Sequence, residues 1–207
     1  MSTDSRMFLN FLSKVVYGEN VAMLAAGSLV SIALVEVMRE TKGVSSRTIL
    51  QVATILAEVL GAEGLAGGQM MDLVMQEKEN ASLLDLEWIH MHKTAALIKA
   101  AVASGAILGG ATPEQVEALE EYALNIGLAF QVVDDILDIE SDSETLGKTA
   151  GKDEALDKLT YPKLLGLQGA KAEANILVGK AKSALEPFGD NAQVLLQIAD
   201  FVLDRNS

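Results

Sequence analysis

The sequence predicts an all-helical protein, and its composition and patterning support that class. Apolar residues make up 50% of the 207 positions and aromatic residues only 4%, so the core should be mainly aliphatic. The chain contains only 3 prolines, which favours long helices because proline breaks a helix interior. Its apolar residues recur with the 3.6-residue period of an α-helix over long stretches, whereas the alternation typical of β-strands is sparse. At this length we expect one domain, residues 1–207, with a substantial core.

Charge and cysteine content narrow the class of function. The formal net charge is −13, and lysines and arginines do not cluster among aromatic residues. Nucleic acid and anionic membrane surfaces are therefore not expected partners. The chain has no cysteine, which excludes disulfides and thiolate metal ligands and fits a reducing compartment. An acidic protein can still bind a polyanionic small molecule if a divalent cation and a few lysines reverse the local field.

The first predicted helix runs from about Gly18 to Arg39. Its central part, Val21–Val35, is apolar but is interrupted by Gly27, Ser28 and Ser31. It also falls short of the ~20 apolar residues that a membrane span needs. We therefore interpret this segment as a buried central helix and expect no membrane span.

Three further helices are predicted up to residue 109. Serine and aspartate side chains stand where two of these helices begin, and such side chains can accept hydrogen bonds from the free N–H groups of a first turn. The helices cover about Ser46–Val59, Gly67–Lys78 and Leu86–Gly109, with Ser45, Ser46, Ser82 and Asp85 as candidate caps.

The C-terminal half is predicted to begin with the longest helix. Thr112 suits an N-cap and is followed by proline at the first helical position, which predicts a helix over about Pro113–Ile139. Residues 140–161 are polar and charged, with a possible short helix at Asp153–Lys158. The last two helices are predicted at about Ala170–Leu185 and Asn191–Leu203.

The long helix carries a stripe of polar residues near its end. Gln131, Asp134 and Asp138 share one face, with Asp135 at its edge. Like charges four residues apart repel by about 0.2–0.5 kcal/mol per pair, so helix stability does not account for them. A bound Mg²⁺ would account for these carboxylates, because the ion takes one or two protein carboxylates, keeps several waters and completes its shell with phosphate oxygens. The alternative is a solvated acidic end of an amphipathic helix.

Other polar features could join this site. Lys93 and Thr94 lie in an apolar helix, where the amine needs an anion unless it reaches solvent. Gln69 and Asp72 stand three residues apart and could instead form a hydrogen-bonded pair between helices. The stretch Gly147–Lys158 combines glycines and lysines, which suits a lid over a phosphate, although alone it resembles a surface turn.

Other chemistries are disfavoured. The sequence lacks a P-loop, a nucleophile elbow and any cysteine, which argues against acyl transfer and against a nucleotide-binding loop of that type. His90 and His92 cannot share a helical face, so a two-histidine metal site is not expected. The residues favour Mg²⁺-assisted handling of a phosphate or diphosphate over an apolar helical cavity.

Five segments, taken in order, resemble the trans-isoprenyl diphosphate synthases, and the plant and cyanobacterial geranylgeranyl diphosphate synthases in particular. They are Gly68–Asp72, Lys93–Thr94, Phe130–Asp138, Gly147–Asp153 and Thr160–Gly166. The resemblance covers the chain from about Lys14 onward. It implies an all-α isoprenoid-synthase-type bundle, incomplete at the N-terminus, with substrate in a central cavity. It also implies a homodimer, or a heterodimer with another prenyl synthase subunit.

The resemblance also assigns roles. Asp134, Asp135 and Asp138 would form the second of two aspartate-rich motifs and hold Mg²⁺ on an allylic diphosphate. The implied reaction is ionisation of that diphosphate, attack by isopentenyl diphosphate and proton loss, giving a geranylgeranyl-type diphosphate. The setting would be the cytoplasm, or the plastid stroma in a plant or alga. The positions that match diphosphate contacts are Lys93, Thr94, Gln131, Lys148 and Lys158, with Lys93 and Gln131 as catalytic residues.

The sequence departs from the family pattern in three places. The resemblance puts a first DDxxD motif upstream of Lys14, where only thirteen residues stand and Asp4 is the sole acid. The segment Ser13–Glu19 carries an extra valine, and Ser28 stands where an aspartate is usual. These departures support an alternative function, that of a non-catalytic regulatory small subunit of a heteromeric prenyl diphosphate synthase.

Overall fold

The computed structural model describes residues 15–75, 81–146 and 159–205, with the side chains of 141–146 left out. All regular structure in these ranges is helical, so the all-α prediction is confirmed. The elements are α1 (Glu19–Glu40), α2 (Ser46–Leu60), α3 (Leu65–Met75), α4 (Leu83–His90), a π-helical turn (Met91–Ala95), α5 (Ala96–Leu108), α6 (Pro113–Leu146), α7 (Tyr161–Ala184), a 3₁₀ helix (Glu186–Ala192) and α8 (Gln193–Asp204).

The chain divides into two compact units at residue 53, and the N-terminal one contains α1 and the first half of α2. The prediction that Val21–Val35 is a buried central helix is wrong here, because α1 has no buried residue. Met23 is 71% exposed and Leu24 is 72% exposed. A helix is buried only when other elements cover it, and the described part of this unit contains little besides α1.

Two stretches of the described chain are long and apolar enough to cross a membrane, namely Glu19–Glu40 and Ser46–Met75. Length and composition are a weak indication, because the core helix of a globular protein and a signal sequence share both properties. The expectation of no membrane span stays a prediction.

The C-terminal unit is organised around α6, which packs against α5, α7 and α8. Its buried side chains recur three and four positions apart, the spacing of one helical face. Full burial of a large aliphatic side chain contributes about 1.5–3 kcal/mol, so this face anchors the helix firmly. The buried residues of α6 include Tyr122, Ala123, Ile126, Ala129, Val132, Val133 and Ile136.

Two predicted N-caps, Ser82 and Thr112, are confirmed by their hydrogen bonds. Asp85 N–H donates to Ser82 Oγ at 3.3 Å, and Ser82 N–H donates to Asp85 Oδ2 at 2.8 Å. Gln115 N–H donates to Thr112 Oγ1 at 3.3 Å, and Thr112 N–H donates to Gln115 Oε1 at 2.9 Å. Each pair forms a capping box that satisfies two free N–H groups. With Ser82 as the cap, α4 begins at Leu83 rather than at the predicted Leu86.

The long helix continues beyond its predicted end at Ile139 to Leu146. All the added residues except Leu146 are polar, so apolar periodicity could not reveal them. Glu140 accepts a hydrogen bond from Lys171 Nζ at 2.7 Å, which ties this part of α6 to α7. The short helix predicted at Asp153–Lys158 lies outside the described residues.

The next helix, α7, begins at Tyr161, well before the predicted Ala170. Thr160 caps it by accepting a hydrogen bond from Lys163 N–H at 3.4 Å, and proline occupies the first turn. Gly166 has a φ of 71° and kinks the helix, which interrupts the periodicity that sequence reasoning relied on. The threonine and proline at its start were the signal that the prediction missed.

Candidate active site

Polar side chains from several elements line a cavity of about 180 Å³ in the C-terminal unit. We call it the acidic cavity, because four of its lining residues are aspartates and one is a lysine. Such an excess of oxygen donors suits a cation better than it suits a bare anion. The lining residues are Asp72, Ile89, His90, Lys93, Gln131, Asp134, Asp135, Asp138 and Leu159.

Most residues predicted for the site meet at this cavity. Lys93, Gln131 and the three aspartates of α6 all line it, and so does Asp72. Thr94 and Gln69 do not, and Gln69 is exposed. Lys148 and Lys158 lie outside the described residues.

Two glycines let the π-helical turn that carries Lys93 pack closely between α3 and α6. A Cβ atom on Gly68 would lie 2.4 Å from the backbone N of Lys93. A Cβ atom on Gly127 would lie 2.6 Å from Cα of Ala95. These separations are too short for any side chain, so glycine at both positions sets the spacing between Lys93 and the carboxylates of α6.

Lys93 is held at the cavity by an ion pair. Its Nζ donates to Asp72 Oδ2 at 2.6 Å, and the two side chains are 33% and 18% exposed. The amine therefore does not extend fully into solvent, and Asp72 pairs with the lysine rather than with Gln69. An anionic ligand in the cavity would compete with Asp72 for this donor.

Asp134 is fixed through both of its carboxylate oxygens. Oδ2 accepts a hydrogen bond from Gln131 Nε2 at 3.2 Å. Oδ1 accepts one from a guanidinium nitrogen of Arg205. A carboxylate bound on both sides keeps one orientation toward the cavity.

Asp135 connects α6 to the start of α7. It is buried, and its Oδ2 accepts a hydrogen bond from Tyr161 N–H at 3.0 Å. That N–H belongs to the first turn of α7 and has no carbonyl partner within its own helix, so the carboxylate satisfies it and complements the helix dipole. Asp138, one turn further along α6, is exposed.

Arg205 is the site residue that sequence reasoning missed. Its side chain is 8% exposed and follows the end of α8. One guanidinium nitrogen donates to the Phe130 carbonyl at 2.7 Å, and the guanidinium carbon lies 3.8 Å from the centre of the Phe130 ring. No local pattern near Arg205 points to this contact, because its partners stand more than seventy residues earlier in the chain.

The phenol of Tyr161 lies beside the acidic cavity and is neutral. Burial raises the pKa of Tyr161, and the nearby carboxylates of Glu87, Glu173 and Asp135 raise this pKa further. The ring centre of Tyr161 is 5.6 Å from that of His90, which is itself buried. Tyr161 therefore keeps its proton at neutral pH and adds no charge to the cavity.

The oxygen donors of the acidic cavity suit Mg²⁺. Among the described residues, no three His, Cys, Asp or Glu side chains converge tightly enough to hold a metal ion by themselves. Mg²⁺ rarely uses such a cage and usually binds through one or two carboxylates, several waters and substrate phosphates. At about 30 Å³ per water, the acidic cavity has room for a hydrated ion. The residues therefore fit a hydrated Mg²⁺ whose shell a diphosphate completes.

A second and larger cavity, of about 710 Å³, opens in the C-terminal unit along α2, α5 and α6. Its walls include Ile55, Val59, Ala96 and Ala100, the last two on the helix that continues from Lys93. Lys99 Nζ lies 2.9 Å from Glu120 Oε2 in the same lining. Besides this pair, the lining contains the carboxylates of Glu58 and Glu63. The apolar part of the wall suits a hydrocarbon chain.

The all-helical fold and the residues of the acidic cavity fit an isoprenoid-synthase-type protein. Residues 11–204 match the family model described as polyprenyl synthetase, and the chain belongs to that family. The resemblance identified from the sequence is thereby confirmed. Prenyl transfer, a transferase reaction, is the chemistry of the family.

Individual relatives agree with this assignment. The chain is 48% identical over 193 residues to a chloroplastic geranylgeranyl pyrophosphate synthase of Capsicum annuum, covering 93% of this chain and 52% of the relative. It is 42% identical over 207 residues to a geranylgeranyl diphosphate synthase of Cyanophora paradoxa, and the match covers 100% of this chain and 69% of the relative. The chain spans about half the length of the first curated relatives it matches, between 52% and 55%.

A solved structure supports the fold. The geranyltransferase of Helicobacter pylori, in complex with magnesium and isoprenyl diphosphate, matches with a TM-score of 0.74 and 29% sequence identity. The match covers 93% of this chain and 62% of the solved one.

Proposed function

We propose that this chain binds an allylic diphosphate through Mg²⁺ and takes part in its condensation with isopentenyl diphosphate to a geranylgeranyl-type diphosphate. The observation that carries the proposal is the acidic cavity, in which Lys93 lies among the carboxylates of α3 and α6. The larger cavity beside α5 supports it, because the apolar part of its wall offers the prenyl chain a hydrocarbon environment.

Each residue of the acidic cavity has a role in this proposal. Asp134, Asp135 and Asp138 would hold the metal, which when bound supplies a Lewis acid to the diphosphate oxygens. Lys93 would exchange its hydrogen bond with Asp72 for one to the diphosphate. Gln131 orients Asp134 through the hydrogen bond described above.

By family resemblance, Thr94, Lys148 and Lys158 would contact the same diphosphate. In the reaction the allylic C–O bond breaks and the diphosphate leaves with both electrons. The double bond of isopentenyl diphosphate then attacks the allylic cation, and loss of a proton restores a double bond. Fixed positive charge around the leaving group is what lowers this barrier.

The first test measures ligand binding by calorimetry. We expect an allylic diphosphate to bind with Mg²⁺ and to bind at least about tenfold more weakly in EDTA, because the metal would bridge the diphosphate to the aspartates of the cavity. Asp138→Asn should weaken the Mg²⁺-dependent binding by about tenfold, since this exposed carboxylate is free to meet the metal.

The matched control is Glu121→Gln, which changes an exposed carboxylate of the same helix outside the cavity lining. It should leave the affinity within about twofold. Equal binding of the wild-type chain in Mg²⁺ and in EDTA would contradict the proposal.

A regulatory subunit is the second candidate, and the exposed apolar surface of α1 favours it. Such a helix offers area to a partner chain. Size-exclusion chromatography with and without a full-length geranylgeranyl diphosphate synthase, followed by product analysis, separates the two functions. Co-elution with altered product length or rate supports the subunit, whereas robust turnover by the chain alone supports the enzyme.

The cellular setting follows the relatives. The names of the Capsicum annuum and Catharanthus roseus proteins describe them as chloroplastic. For a plant or algal chain we therefore propose the plastid stroma.

A further inference from the structure

The contact between Arg205 and Asp134 has a consequence for how the acidic cavity takes up a metal. We propose that Arg205 is a positioning residue that serves as the internal counter-ion of Asp134. It holds this carboxylate and cancels its charge, so that the cavity binds Mg²⁺ alone weakly and binds it well only together with a diphosphate. The inference rests on the proposed function in one respect, that Mg²⁺ is the ion.

The guanidinium has little freedom to leave this position. It contacts the Phe130 carbonyl at 2.7 Å, lies 3.8 Å from the ring centre of the same residue and pairs with Asp134. Its side chain is 8% exposed, compared with 40% for Asp134. The cation is thus the buried member of the pair and the carboxylate is the member that reaches the cavity. A planar guanidinium suits this combination of stacking and hydrogen bonding better than an ammonium does.

The charge around the cavity shows what this contact changes. Four aspartates line it, but Lys93 contacts Asp72 and Arg205 contacts Asp134. Counting only described residues, these four carboxylates and two cations have a formal net charge of 2−. Arg205 is included although it does not line the cavity. Removing Arg205 would leave 3−. Because the attraction of a divalent ion scales with the net charge close to it, Arg205 lowers the affinity for the metal alone.

A purely structural role for Arg205 predicts the opposite sign. If the residue only braced Asp134, losing it would disorder the carboxylate and weaken Mg²⁺ binding. If it is a counter-ion, losing its charge strengthens the binding of Mg²⁺ alone. The direction of the change distinguishes the two roles without any measurement of turnover.

The experiment titrates the full chain with Mg²⁺ alone and then with Mg²⁺ in the presence of inorganic diphosphate, by calorimetry. Arg205→Met keeps a long side chain that can pack on Phe130, and Arg205→Gln keeps hydrogen-bond donors. We expect both variants to bind Mg²⁺ alone about tenfold more tightly than the wild type. Arg205→Lys keeps the charge and should stay within about threefold of the wild type.

Lys182→Met is the matched control, because Lys182 pairs with Asp200 between α7 and α8 and does not line the cavity. It removes one positive charge from the chain and should not change the affinity. Circular dichroism establishes that each variant is folded. If either Arg205→Met or Arg205→Gln fails to fold, the other still tests the inference.

Two results would overturn the inference. If the wild type takes up Mg²⁺ with diphosphate while the neutral variants bind Mg²⁺ alone no more tightly, Arg205 is not a counter-ion and the proposed function stands. If the wild type binds Mg²⁺ neither alone nor with diphosphate, the proposed function fails and the inference fails with it.

Discussion

The helices α1 and α6 are both long and rich in apolar residues, yet they have different surroundings. α6 buries Tyr122 and Val132 almost completely, whereas α1 buries none of its residues. A Cβ atom on Gly127 of α6 would collide with Ala95, whereas one on Gly27 of α1 would meet nothing within 4 Å. Apolar composition alone therefore does not decide whether a helix becomes a core element, because burial depends on what packs against it.

Their polar residues differ in the same way. In α1, Ser28 Oγ donates to the Leu24 carbonyl at 2.9 Å, so the hydroxyl is satisfied within its own helix. In α6, Asp134 and Asp135 are satisfied by groups from other parts of the chain, Arg205 and the backbone of Tyr161. Substitutions in α6 should therefore affect stability much more than equivalent ones in α1.

The largest difference is expected for carboxylate-to-amide changes. Asp134→Asn leaves the buried Arg205 cation without its counter-charge. Removing one member of a buried ion pair costs about 3–5 kcal/mol, and about 2–3 kcal/mol is expected here because Asp134 is 40% exposed. Urea denaturation followed by circular dichroism measures this loss in the free energy of unfolding.

The matched change in α1 is Glu36→Gln, at an exposed position, which should alter stability by no more than about 0.5 kcal/mol. The double variant Asp134→Asn with Arg205→Met should recover most of the loss, because the cation is removed together with its partner. Equal losses for Asp134→Asn and Glu36→Gln would refute the comparison.

Glycine-to-alanine changes should have opposite signs in the two helices. Gly127→Ala places a Cβ atom 2.6 Å from Cα of Ala95, and we expect a net loss of about 1–2 kcal/mol after the gain in helix propensity. Gly27→Ala has open space and should gain about 0.5–1 kcal/mol. Thermal and urea unfolding of both variants measure the two signs, and a stabilised Gly127→Ala would show that α6 and the π-helical turn are not in close contact.

The effect expected to be smallest at neutral pH is that of Tyr122, which changes stability only in alkali. Burial raises the pKa of Tyr122 to about 12, and its hydroxyl donates to the Leu195 carbonyl at 2.8 Å. Between pH 10 and 12 the unfolded chain loses this proton while the folded chain keeps it, so stability falls as pH rises through that window. The slope is at most about 1.4 kcal/mol per pH unit.

Tyr122→Phe should remove this contribution, which is measured as a shallower decline of the unfolding free energy above pH 10. Tyr17→Phe, next to α1 and 65% exposed, should leave the decline unchanged. An identical decline in the wild type and in Tyr122→Phe would mean that this hydroxyl is not protected by the core.

Much of the acidic cavity could be predicted from the sequence. The spacing of Gln131, Asp134 and Asp138 predicted one polar face of α6, and all three residues line the cavity. Lys93 was also predicted there, but its ion pair with Asp72 was not, because the sequence suggested Gln69 as the partner of Asp72. The assignment of the three aspartates as metal ligands stays a prediction, and Lys148 and Lys158 lie outside the described residues.

The sequence by itself determined the features that depend on neighbours a few residues apart. The helical class, the capping boxes at Ser82 and Thr112 and the polar face of α6 all follow from local hydrogen bonding and from the helical repeat. Only the tertiary structure decided that Arg205 pairs with Asp134, 71 residues away, and that α1 is exposed. Such features depend on which helices pack together, and no short stretch of sequence contains that information.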